Sequence, residues 1–159
     1  MLNHQKLIHL LSAFCGMIVC CCLMSSCSKD YTAVYYMFRY DWPEVPIQPR
    51  DIPDQYVREK YEQILNEITN LNCNESTYWE VEILNDNYKA EDQKAKDKFN
   101  RFLPELMRVE DKCKEIINDM EIREGLSFII EFHCKLERWM PVYDTTVTLQ
   151  EYIFKLKYN

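Results

Sequence analysis

The chain has 159 residues, 47% hydrophobic, 13% aromatic and 28% charged, with 19 Lys+Arg against 26 Asp+Glu. That length fits one domain or two, and the apolar and aromatic content excludes a disordered chain. Two glycines exclude a collagen-like composition, and a net charge of −7 excludes a general nucleic-acid binder, which needs a basic stripe.

The first 27 residues differ from the rest. Met1–Lys6 is polar and carries one cationic side chain, Lys6. Leu7–Met24 is uncharged and almost wholly apolar, broken only by His9, Ser12 and Gly16. Ser25, Ser26 and Cys27 follow, then the polar Ser28-Lys29-Asp30. A cationic start, an apolar run and a small-residue exit are the parts of a secretory signal peptide. A retained membrane helix needs about 20 apolar residues, and this run stops short at two serines.

Leu23-Met24-Ser25-Ser26-Cys27 resembles the lipobox of bacterial lipoproteins. The resemblance implies cleavage before Cys27, diacylation of its thiol and acylation of the new amino group. Two or three acyl chains hold a membrane stably where one does not. Ser28 resembles the residue of lipoproteins sorted to the outer membrane, and Lys29-Asp30 loosely resembles a surface-export tag. The expected organisation is a signal peptide over 1–26, a lipidated tether over 27–30 and a single domain over 31–159. Removing the leader takes away Lys6, so the mature net charge becomes −8. It also removes four of the eight cysteines and two of the three histidines.

Tyr31–Tyr40 is β-branched and aromatic on both pleat faces, which predicts an interior strand. The proline-rich 42–49 connection reads as a rigid loop rather than a recognition ligand. Asp51 or Asp54 can cap a following helix with Pro53 in its first turn. Val57, Tyr61, Ile64, Ile68 and Leu71, with Leu65 beside them, recur at helical spacing. Trp79, Val81 and Ile83 alternate with Tyr78, Glu80 and Glu82, a half-buried strand.

A second helical region runs from about 88 to 120. Its seam is Ala95, Phe99, Phe102, Leu106, Val109, Cys113, Ile116 and Met120, and Pro104 is expected to kink or split it. The seam fits core packing better than a coiled coil with a partner. Leu126, Phe128, Ile130, Phe132, Cys134 and Leu136 then alternate with Ser127, Glu131, His133, Lys135 and Glu137. Residues 140–144 make a turn, and 145–158 form a last strand with a bulge near Gln150-Glu151. The order β-α-β-α-β-β predicts an α+β domain: one four-stranded sheet, largely antiparallel or mixed, with helices on one face.

Chemistry-bearing motifs are scarce. Gly125 is the only glycine after the leader, so no phosphate loop, dinucleotide fingerprint or nucleophile elbow is present. His133 is the only histidine after the leader and Cys73, Cys113 and Cys134 lack Cys-x-x-Cys spacing, so no metal site and no cofactor are expected. Cys113 and Cys134 are the pair most able to share a core, as buried thiols or as a disulfide. His133 and Cys134 point to opposite faces of a strand and cannot form a catalytic dyad.

What remains is the polar sheet face. Glu80 and Glu82 share it with Glu131, His133 and Glu137, and adjacent strands would bring carboxylates to an imidazole. Parity makes Phe132 structural and leaves His133 exposed, its loss costing little. Asp144-Thr145-Thr146 resembles the acceptor of some envelope O-glycosylation systems, with Thr145 as the modified residue. Two functions follow from these residues. One is a membrane-anchored, non-catalytic binding module that contacts a protein or a glycan. The other is a small envelope hydrolase using carboxylates of the sheet.

Overall fold

The computed structural model describes residues 31–42 and 47–159. The leader, Cys27 and the 27–30 tether lie outside the described residues. The elements are β1 (Tyr31–Asp41), α1 (Gln55–Thr69), β2 (Tyr78–Leu84), α2 (Lys89–Asn118), β3 (Phe128–Met140) and β4 (Thr145–Tyr158). They make the expected α+β arrangement. The sheet order is β2-β1-β3-β4 and every neighbouring pair is antiparallel. β1 is interior, as its two-sided apolar run requires, and buries Val34, Tyr36 and Phe38 on one face.

Asp54, not Asp51, caps α1: its Oδ1 accepts from the Val57 amide at 3.0 Å. A cap residue is extended, so Pro53 sits before the helix rather than in its first turn, and Asp51 belongs to a short 3-10 turn, Pro49–Asp51. Val57, Tyr61, Ile64 and Ile68 are the buried face of α1. Tyr61 meets Phe128 edge-on at 4.8 Å and so fixes the helix over the start of β3.

Of the two outcomes expected at Pro104, a kink or a split, the split does not occur: α2 is one 30-residue element. Pro104 is exposed, so the backbone bond it removes lies on the solvent side. Its neighbours Phe102 and Leu106 are buried and hold the chain to the core through that turn. Phe99 and Phe102 both pack on Phe38, at 5.4 and 5.7 Å between ring centres.

β3 is the spine. Phe128, Ile130, Phe132, Cys134 and Leu136 form its buried row, and the strand continues past Leu136 to Met140. Pro141–Tyr143 turns the chain, and Asp144 takes a left-handed conformation, φ 46°, that Asp tolerates. The pairing of β3 with β4 slips once: Leu136 faces Gln150 and Glu137 faces Thr148, which leaves Leu149 as the bulged residue. That is one residue from the predicted position. Cys73, Cys113 and Cys134 are all free thiols. The Cys113 thiol donates to the Ile64 carbonyl at 3.9 Å, and burial pushes both Cys113 and Cys134 up to about 12.

Pro104→Ala restores a helix hydrogen bond at an exposed site that costs no packing. It is expected to raise stability by about 1–3 kcal/mol. Urea denaturation of the two proteins measures it, and an unchanged midpoint would show that the helix has already relaxed around the proline.

Candidate functional site

Both helices pack on the same side of the sheet, so the opposite side is open. Alternation places Glu80 and Glu82 of β2 on that open face, together with Glu131, His133, Lys135, Glu137 and Trp139 of β3. The predicted acidic cluster nevertheless does not form. β2 and β3 are not neighbours, because β1 runs between them. Glu80 is level with Tyr35 and Trp139, whereas Glu131 lies eight residues further along β3, about 26 Å at 3.3 Å per residue. Glu137 has the expected orientation, but it is buried, 6% exposed, with Arg39 Nη1 at 3.8 Å.

His133 does meet Glu131, as expected, and takes Glu151 of β4 as its second partner in place of the β2 carboxylates. Its Nε2 is 2.9 Å from Glu131 Oε1 and its Nδ1 is 2.8 Å from Glu151 Oε1. Lys155 donates to Glu131 Oε2 at 2.8 Å. Lys135 donates to Asp41 at 3.1 Å and lies 3.7 Å from Glu151. These groups alternate in sign across β1, β3 and β4. The His133 side chain is only 15% exposed, so parity placed it on the correct face but not in open water. The hydrogen bond it donates to Glu131 raises its pKa; desolvation opposes the shift, and Glu151 adds to it.

The other half of the open face is aromatic. Tyr35 packs on Tyr78 with ring centres 5.7 Å apart and on Trp139 at 5.3 Å. The three side chains form a ribbon across β2, β1 and β3, with Tyr78 54% exposed. Sequence alternation contained this ribbon, but only the strand order brings the three rings together. Trp79 lies on the helical side instead, stacked on Tyr36 at 5.6 Å with the Lys98 ammonium 4.0 Å above its ring.

At one corner of the sheet the Asp86 carboxylate accepts from Tyr88 at 2.6 Å, Tyr143 at 3.0 Å and Thr32 at 3.2 Å, which ties the β2–α2 connection to the turn after β3 and to the start of β1. Thr145 is exposed beside this corner, its hydroxyl donating to the Tyr143 carbonyl at 2.9 Å.

No protein-family model matches the chain, and neither a curated protein nor a solved structure matches it.

Among the described residues no group of three or more His, Cys, Asp or Glu side chains is arranged to hold a metal ion. No described helix is long and apolar enough to cross a membrane. A cleft of about 240 Å³ between the α1–β2 connection and α2 holds Glu75 and Glu105. Arg101 bonds Glu75 through two nitrogens, at 2.6 and 3.1 Å, and Arg108 does the same to Glu105 at 2.8 and 2.7 Å. Those partners lower both carboxyl pKa values. Lys135 lowers Asp41 and Lys155 lowers Glu131, while Glu110 is lowered despite its desolvation by Lys114 and Tyr152. A general acid needs the opposite shift, a carboxyl held protonated by burial.

The His133 bridge has a measurable sign. A histidine whose folded pKa is raised stabilises the fold below its unfolded value of 6.5, and that contribution fades as pH climbs through the higher folded value. Between about pH 6 and 8, the wild type is expected to lose stability relative to His133→Gln. Urea midpoints across that range test it, and parallel pH curves for the two proteins would refute the bridge as an ionic one.

Proposed function

We propose that this chain is a cell-envelope lipoprotein, held to the outer membrane by acyl chains on Cys27. Its 31–159 domain is then a non-catalytic binding module that receives a protein partner on the open sheet face. The observation that carries the binding reading is the open-face ribbon Tyr78–Tyr35–Trp139, in which Tyr78 is exposed and Tyr35 and Trp139 are half-buried. Tyrosine and tryptophan are the side chains that anchor protein interfaces, because they offer large contact area with a polar tip. The rings pack on one another, and the Tyr35–Tyr78 pair is within 20° of parallel. Their faces are therefore partly occupied by each other, which suits a protein surface better than a sugar ring needing a free platform. A hydrolase has less support, since Glu80 and Glu82 do not reach Glu131 and His133.

Cys27→Ser is expected to abolish labelling by radioactive palmitate and to leave unprocessed precursor. Continued labelling would end the lipoprotein reading. A photo-crosslinking residue at Tyr78 in the native envelope is expected to trap a discrete protein, whereas the same residue at Glu59, exposed on α1, is not. Equal trapping at both positions, or none at either, overturns the binding face. An adduct removed by glycosidase but resistant to protease would assign the partner as a glycan.

A further inference from the structure

The two edges of the sheet are treated differently. In the C-terminal half of β4 the helix-facing Phe154, Leu156 and Tyr158 are buried and the half-buried Tyr152 bonds Glu110 of α2, so the helical layer reaches over that part of the edge. At β2 it does not: Trp79 and Val81 face the helices yet stay half-exposed, and only Ile83 is buried. Shallow clefts open at both ends of β2. One is lined by Cys73, Arg101 and Phe102 and the other by Leu84, Asn87 and Ala90. Among the described residues no strand pairs with the outer edge of β2.

Charge marks the same edge. On the open face Asp41, Glu131, Glu137 and Glu151 each have a cation within 4 Å. Glu80 and Glu82 are the exceptions, for no Lys, Arg or His nitrogen comes within 4 Å of either among the described residues. They are exposed, two residues apart on one side of an edge strand. A second copy of the chain is a poor occupant. Two β2 strands paired antiparallel about Val81 would set Glu80 against the other copy's Glu82, like charges directly opposed.

We propose that β2 accepts an added strand from the partner: an extended segment whose alternate side chains are basic and apolar. This rests on the binding reading above and names the mode of contact. The segment's backbone would bond the free edge of β2. Its basic side chains would lie beside Glu80 and Glu82, and its apolar ones would continue the row of Trp79, Val81 and Ile83 under α2. The ribbon ending at Tyr78 adjoins that same edge, so strand and ribbon form one continuous surface.

The probe is a capped heptapeptide alternating lysine and valine, with a glutamate–valine peptide as control, added to the full chain in detergent. Hydrogen exchange of the β2 amides is expected to slow with the lysine peptide and not with the glutamate peptide. Reversing both charges, Glu80→Lys with Glu82→Lys, is expected to weaken binding about tenfold or more, read from tryptophan fluorescence. The isosteric pair Glu80→Gln with Glu82→Gln moves affinity in the same direction and guards against misfolding of the reversed variant. Unchanged β2 exchange, or equal affinity of the wild type and the glutamine pair, overturns strand addition. Trapping at Tyr78 without β2 protection would leave the binding face standing and remove only this mode of contact.

Discussion

Two helices cover one face of a four-stranded sheet, and that asymmetry governs the rest of the domain. A strand that is buried on one side must keep its register, because a slip by one residue would turn every apolar side chain outward. β3 carries the longest such row, from Phe128 to Leu136, and it is flanked on both sides by partners with matching rows. Burying each of these large side chains contributes about 1.5–3 kcal/mol, so the register is fixed many times over. The single bulge at Leu149 is tolerated because it lies beyond the buried stretch of β4.

Polar groups then have to be accommodated on both sides of that core. Under the helices they are tied to α2. Asp92 accepts from Tyr36 at 2.9 Å and from Arg138 at 2.5 Å, and the Arg138 guanidinium lies 4.3 Å from the Tyr88 ring centre. Tyr152 likewise reaches Glu110 of α2. On the open face the charges have no helix to pair with, so they pair with one another across the strands. Each exposed ion pair contributes little alone, but an alternating lattice orders side chains and shields the sheet from nonspecific pairing.

The open face is therefore not uniform. Its charged half is internally neutralised and presents little to a partner. Its aromatic half, with two carboxylates that lack a cation on the uncovered edge, is where contact area and unbalanced charge coincide. A carboxyl acting as general acid would have to be kept protonated, and a binding surface makes no such demand. The shifted carboxyls among the described residues are all pushed toward ionisation by their lysine, arginine, histidine and tyrosine neighbours.

What depends on local periodicity was legible in the order of residues alone. Alternation in Phe128–Leu136 defined both faces of β3, and the spacing of Phe99, Phe102, Leu106 and Val109 defined the buried stripe of α2. A phase slip in the last strand revealed the bulge, because one extra residue shifts parity wherever it occurs. Tertiary structure decided what depends on strand order and on what covers each residue. Glu80, Glu82, Glu131 and His133 share a face but not a neighbourhood, since β1 inserts between their strands. Tyr35, Tyr78 and Trp139 lie far apart in sequence and meet only through that same insertion. Pro104 stays inside an unbroken helix because tertiary packing on Phe102 and Leu106 outweighs its local preference. The proposed leader and the lipobox-like Leu23–Cys27 rest on sequence alone, because a short contiguous motif needs no fold to be read.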